Sequence, residues 1–256
     1  MSAESLPLAL SIAGSDPTGG AGLQLDLQVF ALHGVHGMAV PTALTVQTTT
    51  GVARSLPVFP NVVAEQLGAL LGDLTPGAIK LGMLATDDVV LRVARALADC
   101  AAPRVVDPVL RASDGAYLLE RRAWGSLCAR MIDGAALVTP NLEEAEALTG
   151  HADAETAAAA LLEMGARAAL VKGGHASGAA DDFLLTSDGG HWLRGRRRSV
   201  AAHGTGCALS SAVAARLARG EALAEAVAAA KEWVGTALDG AESAGRGQAL
   251  LRLMPA

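Results

Sequence analysis

The chain has 256 residues, enough for one large α/β domain or two small ones. It is 51% hydrophobic but only 3% aromatic, so its core must be aliphatic, built mostly from Ala, Leu and Val. A net charge of −6 argues against a nucleic-acid or anionic-membrane partner, and three scattered cysteines (Cys100, Cys128, Cys207) argue against a disulfide framework or a zinc site.

The first residues carry no basic stretch, and no apolar run approaches the roughly 18 residues of a membrane span. The reading is a reduced, cytoplasmic, soluble protein of enzyme size. Residues 6–12 form a short apolar run with the length of a buried strand. It empties into Ala13-Gly14-Ser15-Asp16-Pro17-Thr18-Gly19-Gly20-Ala21-Gly22. A Walker loop would need Lys at position 20 and Ser or Thr at 21. The dinucleotide fingerprint fails at Leu25. The loop therefore suits close backbone approach to a ligand, in neither standard way. Residues 23–32 follow as an amphipathic helix. Asp26, near its start, is either a ligand contact or a carboxylate favoured by the helix dipole.

Residues 38–46 predict a second strand ending in the polar run Gln47-Thr48-Thr49-Thr50-Gly51, of the kind that rims a crevice in an open α/β sheet. Helices are predicted over 61–71, 87–98, 118–131, 157–164 and 223–238, and strands over 78–81, 104–106, 136–138 and 168–172. Asp107-Pro108 at a strand end reads as a site carboxylate or as a turn. Asn141 and Glu144 have capping-box spacing, which alone would explain both. Lys172, before Gly173-Gly174-His175, suits phosphate contact. Residues 183–185 and the stretch near Trp192 predict an antiparallel hairpin turning at Ser187-Asp188-Gly189-Gly190. The basic cluster Arg194, Arg196, Arg197 and Arg198 reads as a solvated loop or edge strand.

Alternation of strand and helix patterns predicts a mostly parallel sheet covered on both faces, in one domain spanning residues 1–256. The polar loops then gather at one edge of that sheet. His203-Gly204-Thr205-Gly206-Cys207 runs from a glycine turn straight into an Ala/Leu/Val-rich helix. Such a turn can aim several N–H groups at one anion, with the helix dipole behind them. Cys207 falls in the first turn, where a thiol is most easily deprotonated.

Several of these segments resemble, in order, the hydroxymethylpyrimidine/phosphomethylpyrimidine kinases of thiamine biosynthesis, within the ribokinase-like superfamily. They are the stretch from Ile12 to Asp26, Thr42-Ala43-Leu44-Thr45-Val46-Gln47, Lys80-Leu81-Gly82-Met83-Leu84, Val106-Asp107-Pro108-Val109, Thr139-Pro140-Asn141-Leu142-Glu143-Glu144-Ala145, Val171-Lys172-Gly173-Gly174-His175 and His203-Gly204-Thr205-Gly206-Cys207. The cysteine after Gly-Thr-Gly is the narrower mark, since most ribokinase-like sugar kinases carry Asp there.

The resemblance implies a three-layer α/β/α fold, ATP with Mg2+, a pyrimidine alcohol as acceptor, and a homodimer. It implies that Gln47 hydrogen-bonds the pyrimidine, that Met83 and Val109 pack on it, and that Asp26 and Gly14 line the same pocket. Asn141 and Glu144 would lie by the phosphates and the magnesium water shell. Lys172, Asp107 and Thr205 would serve the phosphate side, with the amides from Gly204 through Gly206 to Cys207 as anion hole. Cys207 would face the acceptor hydroxyl. Two departures stand out. Where the family often has Lys-Ser-Gly after Asp-Pro-Val-Leu, this chain has Arg111-Ala112-Ser113-Asp114-Gly115. Its end, Gly245-Arg246-Gly247-Gln248-Ala249-Leu250, also differs. A pyridoxine/pyridoxal kinase, or a catalytically silent pyrimidine sensor, are the competing readings.

Overall fold

The computed structural model describes residues 6–112, 115–173, 180–196, 198 and 202–256. Gly174, His175, Ser113, Asp114 and Arg197, singled out above, lie outside the described residues. The strands are β1 (Leu8–Ser15), β2 (His36–Thr48), β3 (Gly51–Pro57), β4 (Ala78–Leu81), β5 (Arg104–Val106), β6 (Leu137–Val138), β7 (Ala169–Val171), β8 (Asp182–Thr186) and β9 (Gly189–Leu193). They form one sheet in the order β3-β2-β1-β4-β5-β6-β7-β8-β9. The six strands from β2 to β7 pair in parallel, and antiparallel β3, β8 and β9 extend the two ends.

Side chains along the parallel strands alternate between two cores, as the two-residue period of a strand requires. Leu10, Ile12, Ile79, Leu81, Val106 and Val138 face one core. It is closed by helices α2 (Pro60–Asp73), α3 (Asp87–Ala96), α4 (Trp124–Leu127), α5 (Leu142–Thr149) and α6 (Ala154–Glu163). Ala9, Ala78, Val105, Leu137 and Leu170 face the other, under α1 (Gly22–Leu32), α7 (Thr205–Ala218) and α8 (Leu223–Asp239). This is the ribokinase-like α/β arrangement. The second core is rich in alanine, with Ala208, Ala212, Ala214, Ala215, Ala226 and Ala230 fully buried, which lets α7 and α8 lie close to the sheet and to each other.

Two regions depart from the sequence reading. The polar run after residue 46 is not yet a loop: β2 continues through Thr48 and turns at Thr49-Thr50 into β3. β3 lies at the sheet edge with no buried residue, so it carries no core pattern to read. The helix predicted over 118–131 is broken. Leu119 bridges to Ala85 and the Glu120 N–H donates to Ala85 O, which commits this backbone before a helix can start. The chain continues from there as a short 3-10 turn (Arg121–Ala123), α4, and a wider π turn (Cys128–Ile132).

Candidate active site

The carboxyl ends of the parallel strands and the amino end of α7 converge on one cleft of about 1280 Å3. A crevice outside the carboxyl ends of the strands is where open α/β sheets bind ligands. Gly204 caps α7 with φ +76°, and a side chain there would collide with Gly20 O. The turn is therefore restricted to glycine by conformation and by space. A β-carbon at Gly206 would sit 2.9 Å from Lys172 Nζ, so its absence lets the lysine lie directly against the turn. Thr205 Oγ1 donates back to Ala202 O (3.1 Å) and fastens the turn from behind.

Lys172, just past β7, reaches Asp107, just past β5. Lys172 Nζ donates to Asp107 Oδ1 at 3.0 Å. Thr139 Oγ1 and Ser210 Oγ contribute longer contacts to the same carboxylate, each at 3.3 Å. Burial opposes both charges, but each offsets it for the other: Asp107 is held below the usual carboxylate range, and Lys172 above the usual lysine value. Glu144 lies nearby and is pushed up to about 7, by burial and then by the charge of Asp107, against the opposing pull of Lys172. The capping box forms in full: Glu144 N–H donates to Asn141 Oδ1 (2.8 Å), and Asn141 N–H to Glu144 Oε2 (2.9 Å). Asn141 bridges to Lys172, so the box sits beside the lysine and lines the cleft.

At the other end, Gly14, Met83, Val109 and Gln47 line the cleft together. Thr42 Oγ1 donates to Met83 O and fixes that backbone. Gln47 touches His203, and His203 Nε2 lies 2.9 Å from Asp16 Oδ2. Burial raises the Asp16 carboxyl, but hydrogen bonds from His203 and Thr18 more than offset it and hold the group below its ordinary range. Asp16 and His203 stand inside sequence motifs that assign neither of them a role. Residues 248 and 249 close this end: Gln248 N–H donates to Thr49 O (2.8 Å), His203 N–H to Ala249 O (2.9 Å), and Ala202 pairs with Ala249.

Two expectations need correction. Asp26 does not line the cleft. It is fully buried beneath it, and Lys80 Nζ donates to both its oxygens (3.0 and 2.8 Å). Ser11 Oγ (2.5 Å) and Ser211 Oγ (2.6 Å) complete the set, so the carboxylate is neither facing a ligand nor serving the dipole of α1. Cys207 does face the cleft, but burial pushes its thiol up to about 11; Lys80 lowers it, while Asp107 and Asp26 raise it further. The basic cluster is an exposed loop, as read, at Arg194 and Arg196, whereas Arg198 is half-buried against Asp239; all three line the cleft, with Arg194 paired to Asp181. Arg111 also reaches the rim, stacked 4.5 Å over Tyr117 with Nη2 donating to its hydroxyl.

Comparison with known proteins places this geometry. The family model described as phosphomethylpyrimidine kinase matches residues 16–252. The chain belongs to that family. It is 44% identical, over 89% of its length and 87% of the relative's, to the hydroxymethylpyrimidine/phosphomethylpyrimidine kinase of Streptomyces coelicolor. To the enzyme of the same name from Rhizobium meliloti it is 43% identical, over 94% of both chains. Among solved structures, phosphomethylpyrimidine kinase from Clostridium difficile is 34% identical with TM-score 0.79, over 89% of this chain and 97% of that one. An ADP complex of Bacillus subtilis pyridoxal kinase is 28% identical with TM-score 0.88, over 97% of both. Fold similarity thus ranks the pyridoxal kinase higher and sequence identity the pyrimidine kinase. The shape is common to both activities, and the residues at the cleft must tell them apart.

Proposed function

We propose that the protein is an ATP-dependent kinase of thiamine biosynthesis. It phosphorylates 4-amino-5-hydroxymethyl-2-methylpyrimidine and then its monophosphate to the diphosphate. The observation that carries this reading is the glycine turn from Gly204 to Cys207, at the head of α7, set against Lys172 in a family member's cleft. Phosphoryl transfer has a loose transition state, so catalysis rests on positioning and on stabilising charge. The α7 amides and Lys172 meet the transferring phosphoryl group from two sides. Asp107 holds Lys172 in place. Gln47 contacts the pyrimidine ring, with Gly14, Met83 and Val109 forming the walls around it.

Cys207 faces the acceptor hydroxyl as a neutral thiol. With a thiol at about 11, on the order of one site in ten thousand is ionised at neutral pH. Its role is to orient the hydroxyl rather than to wait as a preformed base, and a loose transition state needs little basicity before the new O–P bond is well advanced.

Mg2+ fits the donor set. Asp107 and Glu144 are two buried carboxylates beside one ammonium, and burial with the Asp107 charge raises Glu144 despite Lys172. Among the described residues no group of three or more His, Cys, Asp or Glu could hold a metal by itself. That suits an ion brought in on nucleotide phosphates, with Glu144 acting through water, since magnesium is usually held by one or two carboxylates plus phosphate oxygens. When bound, the ion supplies charge neutralisation for the phosphates.

Among the described residues no helix is long and apolar enough to cross a membrane, and a cytoplasmic location is the reading that suits a metabolic kinase. Nucleic acid is not a partner in this reading, given the net charge of −6. A homodimer is supported by exposed Leu44, Val46 and Leu56 on the β2–β3 edge. The test is ADP release measured with the pyrimidine alcohol, with pyridoxal, and with no acceptor. The pyrimidine alone should give sustained turnover. Faster release with pyridoxal would make it a pyridoxal kinase, and none with either acceptor a silent binding protein.

A further inference from the structure

Asp16, His203, Gln47 and Thr45 form a continuous chain of contacts at the acceptor end of the cleft. His203 Nε2 lies 2.9 Å from Asp16 Oδ2 and 2.7 Å from Gln47 Nε2, and Gln47 Oε1 lies 3.1 Å from Thr45 Oγ1. Thr45 Oγ1 in turn lies 2.9 Å from Ser15 O. Counting hydrogens along this chain orients the Gln47 amide. An ionised carboxylate only accepts, so His203 Nε2 must carry a hydrogen and point it at Asp16. A ring nitrogen that carries a hydrogen cannot also accept from the amide nitrogen of Gln47. The group beside it must be the amide oxygen, sharing that hydrogen with Asp16.

The far end is compatible with that answer. Thr45 has one hydroxyl hydrogen and two acceptors within reach, Ser15 O at 2.9 Å and the Gln47 amide at 3.1 Å. Given to the nearer, the backbone carbonyl, it leaves Thr45 free to accept from the Gln47 amide nitrogen. A half-turn of the terminal amide from the placement with Gln47 Nε2 at His203 puts its oxygen at His203 and its nitrogen at Thr45; the unturned amide keeps the Thr45 contact, with Thr45 Oγ1 donating to Gln47 Oε1, and loses the one at His203. Nε2 carries its hydrogen in the neutral Nε2–H tautomer and in the charged imidazolium, so the arrangement does not depend on the charge of His203. Asp16 is itself braced: Thr18 N–H and Thr18 Oγ1 donate to its two oxygens, each at 2.9 Å.

We propose that Asp16 and His203 are positioning residues that lock the Gln47 amide in this single orientation and so set acceptor specificity. This rests on the reading that Gln47 contacts the acceptor ring. A locked amide keeps one spare N–H on the Thr45 side and one spare oxygen lone pair on the His203 side. The hydroxymethyl group must point at the glycine turn, which fixes the rotation of the ring in its plane. Only a ring edge with an acceptor nitrogen beside an amino group then matches. The 4-oxo analogue, whose edge reads N–H beside C=O, inverts the pattern. It can bind only by turning the amide over and breaking the contact at His203. A freely rotating amide would take either ring.

The experiment compares kcat/KM for the 4-amino alcohol and its 4-oxo analogue in the parent, Asp16→Asn and His203→Phe. Two mismatched polar contacts predict a parent preference of roughly 10²-fold or more. Both variants should reduce it to within about tenfold, mainly through a lower KM for the oxo compound. Nitrogen-15 NMR of the imidazole should show His203 as Nε2–H in the parent, with that preference lost in Asp16→Asn. An unchanged selectivity ratio in both folded variants overturns the proposal, and so does an Nδ1–H tautomer in the parent. Gln47→Leu separates the two layers. If it retains full selectivity, the assignment of Gln47 to the acceptor ring falls and takes the specificity claim with it. An Nδ1–H signal alongside a Gln47→Leu variant that loses selectivity removes only the lock.

Discussion

The molecule contains two lysine–aspartate pairs under the same helix, and they serve different ends. Ser210 and Ser211, adjacent on α7, each donate to one of them: Ser210 to Asp107 of the Lys172 pair, Ser211 to Asp26 of the Lys80 pair. One turn earlier on α7, Gly206 and Cys207 face the cleft, at the four-residue spacing that stacks side chains on one helix face. In the lower pair both side chains are 0% exposed and all carboxylate contacts are between 2.5 and 3.0 Å. In the upper pair the lysine keeps 14% exposure and makes a single 3.0 Å contact with its aspartate. The same two residue types thus form a sealed structural joint in one place and a charge open to a ligand in the other. Depth and saturation of hydrogen bonding, not residue type, separate the roles.

The largest expected effect breaks that comparison directly. Lys172→Ala removes the open charge, and kcat should fall by roughly 10³-fold, as for loss of a charge aimed at a transition state, with a stability loss smaller than that of Lys80→Met because the lysine is partly exposed and makes one contact with Asp107. Lys80→Met should do the reverse. It strands a buried carboxylate, which costs about 3–5 kcal/mol of stability, and pairing it with Asp26→Leu should restore most of the loss. Equal melting losses for the two single variants in thermal denaturation would show that the pairs are equivalent after all.

A smaller effect sharpens the comparison at Cys207, which both pairs influence. Cys207→Ala should lower kcat by roughly 10²-fold, a size typical of one positioned proton-handling group. Cys207→Ser should retain activity to within about tenfold, because a hydroxyl can still orient the acceptor. A serine variant as inactive as alanine would restore the base role. The thiol also has a signature in pH. It keeps its proton in the folded state up to about 11, against an ordinary value of 9.0. The stability it contributes is therefore fully present below about pH 9 and is lost as pH rises through about 11. Alkylation of Cys207 followed by site-resolved mass spectrometry should show its midpoint near 11, moving higher in Lys80→Met.

The smallest effect concerns the second phosphorylation, where the acceptor is itself an anion. Arg111 is the cation at the rim where the family often has lysine, and it is held over Tyr117. Arg111→Ala should slow diphosphate formation from the monophosphate by about tenfold and leave the first step nearly unchanged, the outcome expected of a rim cation that serves only the second phosphate. Equal slowing of both steps would assign Arg111 to the loop and not to the acceptor.

Local features are legible in the sequence. The bounds of β4 and β5 are readable because each is a short run bracketed by breakers, Gly77 and Gly82 for β4 and Pro103 and Pro108 for β5. The Asn141–Glu144 box is readable because a cap spans three residues. The glycine turn at Gly204 is readable because it needs only its own backbone. Pairings across the chain are not. Lys80 meets Asp26 because the register of β1 against β4 sets Lys80 beside Ser11, on the face that α1 and α7 cover. Nothing within either segment states that register. Asp16 and His203 are 187 residues apart, and their motifs name them without joining them. The thiol of Cys207 escapes a sequence reading for the same reason: a helix terminus is visible in sequence, whereas the carboxylates and the burial that oppose it arrive from other elements.

The closing of the acceptor end by residues 247–249 sets an order of events for a newly made chain. Thr49 and Gln47 are synthesised early, yet Gln248 and Ala249, which brace Thr49 and His203, leave the ribosome far later. Contacts between residues so distant in sequence form late in folding. A chain clipped before residue 247 would lose the braces on Thr49 and on the His203 backbone, while the Lys172–Asp107 pair and the packing of Gly204 on Gly20 involve none of those residues, so residues 247–249 serve the acceptor end alone.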